Sequence, residues 1–481
     1  MQMRTAMRVL IGVGVVATAY DARAADPVPY AVMPKNFIGA PCSSTPGVPV
    51  GGRKFYVSPT GNDNNNGRSM ATAYKTISHS VAGWLVQPGD VILVAPGTYN
   101  ELVEIGYGGT PGACVTLMGI PGQPRPVVTW SNDTYATINV WAPYVRVSGL
   151  KVTHPEPNLK PKSISNPGNS AIDVYSAGAP DSSGVFRPTV HHVQIDNNEA
   201  FGSGCGGISF EGVDYVLAYG NTVYGNAYSK SGHCSGISFY ESLNLDNAPG
   251  YHQYIIDNYS YGNINLYPVV GPSYTTDESG IIFDDGRNSQ RKAVSPNLNI
   301  LPYSGHTLIF GNVMFGNGGH AVEIYTSDYV DVFNNVGYGD LTDSELKNYP
   351  NCPGELYAGY SGHLRFENNI VVASSSNLQV LSQLGAAVDQ ASNLWKNNIA
   401  DVGKISLGAP NSGNANAAAL YGVNPEFVSP SLSPIGADRN FQLQWSSPAW
   451  GASAPLSVTV TDIAGSTVPA GGKLNIGAYI R

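Results

Sequence analysis

Five short segments of the chain repeat one phrase. They read Ala171-Ile172-Asp173-Val174-Tyr175, Gly207-Ile208-Ser209-Phe210-Glu211, Gly236-Ile237-Ser238-Phe239-Tyr240-Glu241, Gly280-Ile281-Ile282-Phe283-Asp284-Asp285 and Ala321-Val322-Glu323-Ile324-Tyr325. Aligned on the Gly or Ala, the residues one and three places later are always apolar. A period of two is a strand with one buried face, so the second and fourth places point outward. The fourth-place column then reads Tyr175, Glu211, Tyr240, Asp284, Tyr325, and Glu241 and Asp285 sit at its strand ends. Only 12% of the chain is charged, so carboxylates gathered on one face are informative. Carboxylates in such numbers suit acid–base chemistry or Ca2+, and tyrosine faces suit sugar rings.

The spacing between phrases adds to this. Gly207 to Asn221 and Ala321 to Asn335 are each 14 residues, whereas Gly236 to Asn258 is 22 and Gly280 to Asn312 is 32. The extra residues follow directly after Glu241 and Asp285, so the two longest loops leave the strand beside the carboxylates. The second loop carries Arg287, Arg291 and Lys292, the main basic cluster of the central chain. Arginine can grip a carboxylate with two hydrogen bonds, which suits an anionic substrate. Asp277, Glu278, Asp284 and Asp285 are the candidate Ca2+ ligands. His320, next to the last phrase, is a candidate general base or a structural residue, and His233 with Lys230 has the same ambiguity.

These strands need an element that stacks them. A second phrase lies between the first: a strand ending in Asn, then aromatic-Gly-Asn. It runs through Asn198, Asn221 with Tyr224-Gly225-Asn226, Asn258 with Tyr261-Gly262-Asn263, Asn312 with Phe315-Gly316-Asn317, and Asn335 with Tyr338-Gly339. Echoes follow at Asn369 and Asn398. Two short strands per repeat, joined by Gly/Asn turns, describe an all-β solenoid. Asparagine can ladder by side-chain hydrogen bonds between stacked coils. Equivalent places on adjacent coils lie ~4.8 Å apart, and places two coils apart lie about 10 Å apart. Glu241 and Asp285 fall on adjacent coils, and Glu211 and Asp284 two coils apart, provided that Gly236 to Gly280 holds no extra coil. Cys205 and Cys234 stand two places before their aligned Gly, so they stack as neighbours, either bonded or as a reduced pair.

The 481 residues include 56 Gly and 34 Pro, which leaves no room for long helices. A net charge of −9 excludes the basic surface a nucleic-acid binder needs. Arg4 and Arg8, the apolar run Val9 to Ala19, and Ala22-Arg23-Ala24 read as a signal peptide over residues 1–24. No later stretch is apolar enough to span a membrane. A secreted or periplasmic monomer is expected, with an extended linker over 25–53 and one domain over 54–481. Export permits disulfides, and five cysteines leave at least one unpaired.

The N-terminal part of that domain carries Phe55-Tyr56-Val57-Ser58-Pro59-Thr60-Gly61-Asn62-Asp63, Tyr74-Lys75-Thr76-Ile77 and Gln87-Pro88-Gly89-Asp90-Val91-Ile92-Leu93-Val94-Ala95-Pro96-Gly97-Thr98-Tyr99. Its far end carries Asn424-Pro425-Glu426-Phe427, Ser447-Pro448-Ala449 and Asn475-Ile476-Gly477-Ala478-Tyr479. These segments resemble secreted right-handed parallel β-helix proteins, including polysaccharide lyases of families six and nine. The resemblance implies a β-helix with a short N-terminal capping helix over Ile77 to Val86. It is weak for substrate, because the fold hosts several chemistries. The catalytic Lys context of family nine and the Asp-Pro-His signature of alginate epimerases are absent from this sequence. The leading expectation is β-elimination on a uronate-containing polysaccharide. There Ca2+ held by Asp277, Glu278, Asp284, Asp285 or Glu211 neutralises the substrate, and Arg287, Lys292 or His320 serves it. The alternatives are a glycoside hydrolase using two of Glu211, Glu241, Asp284 and Asp285, and a non-catalytic carbohydrate-binding solenoid. Tyr175, Tyr240, Glu241, Lys292 and Tyr325 are the expected substrate contacts.

Overall fold

A computed structural model of the chain describes residue 42 and residues 52–132, 134–155, 169–229, 234–265, 277–343, 354–407, 418–432, 440–455, 460–461, 467–468 and 474–479. The expected signal peptide, most of the expected 25–53 linker, Lys230, His233 and Cys352 lie outside them. The chain winds through three parallel sheets of 11, 11 and 10 strands, visiting each once per turn. In chain order these are sheet 1 (Lys54–Val57 to Leu394–Lys396), sheet 2 (Thr98–Asn100 to Ala418–Tyr421) and sheet 3 (Val103–Ile105 to Lys404–Ser406). The fold is the expected right-handed parallel β-helix.

Each repeat holds three strands rather than the expected two. The missed strand is the aromatic phrase itself: Thr222–Tyr224, Tyr259–Tyr261 and Val313–Phe315 are three-residue strands of sheet 2. Three residues are too few to show a period of two, so the sequence reads as a turn. The 44-residue interval hides no extra coil. Ile237–Tyr240 pairs directly with Ile281–Asp284, residue for residue.

The inward column is apolar and stacked. Phe210, Phe239 and Phe283 are fully buried, with successive ring centroids 4.5 and 5.8 Å apart. Burying an aromatic side chain of this size contributes roughly 1.5–3 kcal/mol. The turns between sheets 1 and 2 are tied by asparagine. Asn198, Asn221, Asn258, Asn312, Asn335 and Asn369 each donate the backbone N–H and side-chain amide to the side-chain carbonyl of the next, at 2.9–3.3 Å, ending at Asn398. A second ladder, Asn226–Asn263–Asn317, fills the corner before sheet 3 and ends on Asp340. This explains the Gly that opens the site phrase. A Cβ at Gly236 would meet the Asn263 amide nitrogen at 2.7 Å and the Ser260 hydroxyl at 2.1 Å.

At the N-terminal end the expected helix over Ile77 to Val86 is shorter. It spans Ile77–Ser80, capped by the Thr76 hydroxyl, and turns complete the segment. Gly83 and the Pro88-Gly89 pair break the helical run. At the far end, Phe427–Ser429 and Asn440–Leu443 form an antiparallel pair whose Phe427 and Phe441 pack with Tyr338. Disulfides join Cys205 to Cys234 and Cys42 to Cys114. The first links neighbouring coils as their register allows.

Candidate active site

Sheet 3 sets the expected column in register. Tyr175 pairs with Glu211, Glu211 with Tyr240, Tyr240 with Asp284 and Asp284 with Tyr325. Aromatic and acidic side chains therefore alternate, coil by coil. The carboxylates are less open than a solvated strand face would be. Asp284 and Glu323 are buried and Glu211 is half-buried.

Glu241 and Asp285 each stand one residue past the strand end with φ near +48°, as Thr326 does on the next coil. Holding a non-glycine residue there costs on the order of 1–3 kcal/mol, so neighbouring bonds must fix it. For Asp285 they do. Its two oxygens accept the Ser289 N–H at 2.8 Å, the Ser289 hydroxyl at 2.6 Å and the Gln290 N–H at 2.8 Å. Asp285 thus anchors the short helix Ser289–Val294. The helix turns Gln290 and Arg291 back onto the stripe. The Tyr240 hydroxyl donates to Gln290 at 3.1 Å, and Arg291 Nε donates to Glu241 Oε2 at 3.0 Å. The end of the Arg291 side chain reaches the turn at Gly212, where a Cβ would lie 3.0 Å from Nη2, next to Glu211.

Glu241 is the titratable centre of this arrangement. Burial raises its pKa, the Arg291 guanidinium lowers it, and Asp285 and Glu211 raise it again, for a value of about 7. The ion pair does not reverse the shift, because desolvation outweighs one cation. The Tyr240 phenol is pushed far up by burial and by the carboxylates around it, Glu241, Asp284, Asp285 and Glu211, so it stays protonated. Burial lowers the Lys292 ammonium, with Asp285 partly opposing.

Other expected residues lie elsewhere. Arg287 does not face the stripe with a free guanidinium. It bonds Asp328 at 2.7 and 2.8 Å and Asp389 at 3.0 and 3.2 Å, clamping the loop to later coils. His320 is buried, its Nδ1 2.8 Å from the Gly354 carbonyl, and burial drops its pKa to about 4. A neutral ring held in this way is a structural residue. Asp277 and Glu278 precede the strand Ile281–Asp284 that Asp284 and Asp285 end. Four extended residues span roughly 10 Å, so these two pairs cannot ligate one ion. Among the described residues no group of three or more His, Cys, Asp or Glu side chains is arranged to hold a metal. The residues do not fit the expected Ca2+ site.

Sequence reasoning placed Arg291 in a basic loop suited to a substrate carboxylate and not on Glu241, because nothing in the sequence shows that Asp285 folds that loop back. It also missed Trp141, which follows the strand Ala136–Val140 just as Tyr175 ends the next one. Only its position relative to a phrase too divergent to align could have found it.

No protein-family model matches the chain. The uncharacterized protein YwoF of Bacillus subtilis (strain 168) is 26% identical over 136 residues, 27% of this chain and about a quarter (26%) of that protein's own length. Among solved structures, pectate lyase Pel9A superposes with a TM-score of 0.51 at 17% identity, over 89% of this chain and 96% of that one. A GH136 lacto-N-biosidase from Eubacterium ramulus gives 0.45 at 13% identity, over 73% of this chain and 57% of that one. An alginate lyase from Paenibacillus sp. str. FPU-7 gives 0.43 at 16%, over 70% and 96%. At such identities the likeness is one of fold: this chain shares the parallel β-helix architecture of pectate lyase Pel9A.

Proposed function

We propose that the protein is an exported carbohydrate-active enzyme that hydrolyses glycosidic bonds of an uncharged polysaccharide, with Glu241 as proton donor and Glu211 as its partner carboxylate. The observation that carries this is the unequal surroundings of the two. Glu241 is buried and half-protonated near neutral pH, and half-buried Glu211 lies one coil away. Environments that separate two carboxylates assign the acid and the base. Glu241 gives its proton to the glycosidic oxygen as the bond to the anomeric carbon breaks. Arg291 stabilises the carboxylate that results. A Glu211 oxygen bonds the anomeric carbon, and water then releases the sugar while returning a proton to Glu241. Glu211 stands in register with Tyr240, so it lies one coil and one residue from Glu241, and its charge raises the Glu241 pKa. We assign the two as the close pair that goes with retention of configuration, at roughly 5–5.5 Å.

Charge argues for the neutral substrate. Glu211, Glu241, Asp284 and Asp285 outnumber Arg291 and Lys292, so a polyuronate would meet net repulsion. The fold's association with carbohydrate-active neighbours, the apolar run at Val9 to Ala19 and the disulfides support an exported enzyme. One observation favours a second reading, β-elimination on a uronate. The lowered pKa of Lys292 beside Arg291 would supply a base and a carboxylate grip.

The test is a digest of neutral and uronate polysaccharides followed for reducing ends and for ultraviolet absorbance together. Reducing ends without absorbance on a neutral polymer is the expected result. Absorbance on a uronate polymer would replace it with elimination, and silence on both would remove the catalytic reading.

A further inference from the structure

The acidic stripe is the middle of a longer line. Toward the N-terminus it passes Tyr175 and reaches Trp141, whose backbone N–H donates to the Ile105 carbonyl at 3.0 Å and so fixes its coil beside the first strand of sheet 3. Tyr107 follows that first strand by two residues. Its ring packs against the backbone at Gly83, where a Cβ would meet it at 1.9 Å. Trp84 follows Gly83 directly in the chain, which brings it to the neighbourhood of the Tyr107 ring. Its indole stands edge-on to His79, centroids 5.0 Å apart, and His79 rests on Tyr74 at 4.7 Å. Trp84, Tyr107 and Trp141 are 73%, 60% and 39% exposed. Rings this exposed contribute little to the core, and their partners beneath hold them in place.

From these contacts we infer that Trp84 and Tyr107 form a distal sugar-binding platform, continuous through Trp141 and Tyr175 with the proposed cleavage site, for a polysaccharide lying along the helix axis. Tyr107 stands three coils from Glu211, about 14 Å. Only a chain several sugars long can touch both. The ligand is a polymer segment whose pyranose C–H faces stack on the rings. It is not a charged ligand, because the platform's own side chains are apolar or aromatic. This inference rests on the proposed function for its substrate class, but its test reads binding alone.

The experiment is electrophoresis of the full chain through gels containing neutral polysaccharides, comparing wild type, the Trp84→Ala/Tyr107→Ala double variant and Trp445→Ala. Trp445 is 84% exposed, but it lies in the C-terminal segment away from the line and controls for indiscriminate stickiness. Wild type and Trp445→Ala are expected to be retarded alike, and the double variant to lose roughly tenfold in affinity, the order expected of two stacked rings. Unaltered melting in the double variant checks that it folds. Equal retardation of all three, an equal loss in Trp445→Ala, or no retardation of wild type would overturn the platform. Retardation that depends on Trp84 and Tyr107 without any cleavage would uphold the platform and remove the catalytic reading. Cleavage with no such dependence would do the reverse.

Discussion

Glu241 is the proposed proton donor because its surroundings oppose one another. Burial and two neighbouring carboxylates raise its pKa, and Arg291 lowers it, leaving it at about 7. A proton donor must hold its proton, so activity should fall as pH rises through about 7. Arg291→Ala removes the lowering influence, so the alkaline limb should move to higher pH while maximal turnover drops. A limb that stays put or moves down would dissociate Arg291 from the acid. Glu241→Gln should lower kcat by roughly 10²–10⁴-fold, the usual worth of a positioned acid, with melting unchanged. The sequence placed the Tyr175–Glu211–Tyr240–Asp284–Tyr325 column correctly, because a period of two needs no tertiary information. It did not separate Glu241 from Asp285, which occupy the same turn position on adjacent coils. Their difference lies in what folds back on them.

The helix Ser289–Val294 makes that difference. Asp285 accepts three hydrogen bonds from its first turn, and the helix returns Arg291 to Glu241. Asp285→Ala should therefore act on the element, not on the chemistry. Loss of a cap costs on the order of 1 kcal/mol. The alkaline limb should shift upward as Arg291 is released, but by less than in Arg291→Ala, because the raising influence of the Asp285 charge is lost as well. Asp285→Asn keeps one accepting oxygen for the helix but loses the charge that raises the Glu241 pKa, so its limb should lie at or below the wild-type position. An activity loss with both variants' limbs unmoved would instead make Asp285 a participant in the reaction. The loop's basic residues were visible in the sequence, but their destinations were not. Arg287 goes to Asp328 and Asp389, one of them about a hundred residues away (|i−j| = 102), and no local pattern reports such a distance. The four expected Ca2+ ligands are not gathered at one point for a related reason. Asp277-Glu278 and Asp284-Asp285 are close in sequence, but an extended strand separates its two ends.

At the scale of the whole molecule, stacking decides what each coil tolerates. Gly207, Gly236, Gly280 and Ala321 leave room for the corner asparagines, and the next residue in that column is Glu355. There the ladder ends, with Asp340 in the place of an asparagine and its carboxyl against that of Glu355. Both are fully buried, and burial raises both pKa values. Two carboxyls in such a corner share a proton. The folded state then binds more protons than the unfolded chain above the ordinary carboxylate range, so stability must fall as pH rises through the pair's titration. Asp340→Asn restores the ladder's own residue and removes one titrating group. Its melting temperature should decline less than that of wild type between mildly acidic and mildly alkaline buffers. Parallel declines would show that the pair does not titrate there. The repeat and the ladder were legible because asparagine and glycine recur in fixed places, and the hand of the coil followed from the family resemblance, whereas the third strand was too short to see.

The account stands or falls on what becomes of the bond cleaved beside Glu241, and proton NMR of a digest in progress reads this directly. A neutral polysaccharide should give new anomeric signals of the same configuration as the scissile bond, without olefinic protons, and Glu241→Gln should give none. Olefinic signals from a uronate polymer, or first-formed products of inverted configuration, would contradict the pairing of Glu241 with Glu211.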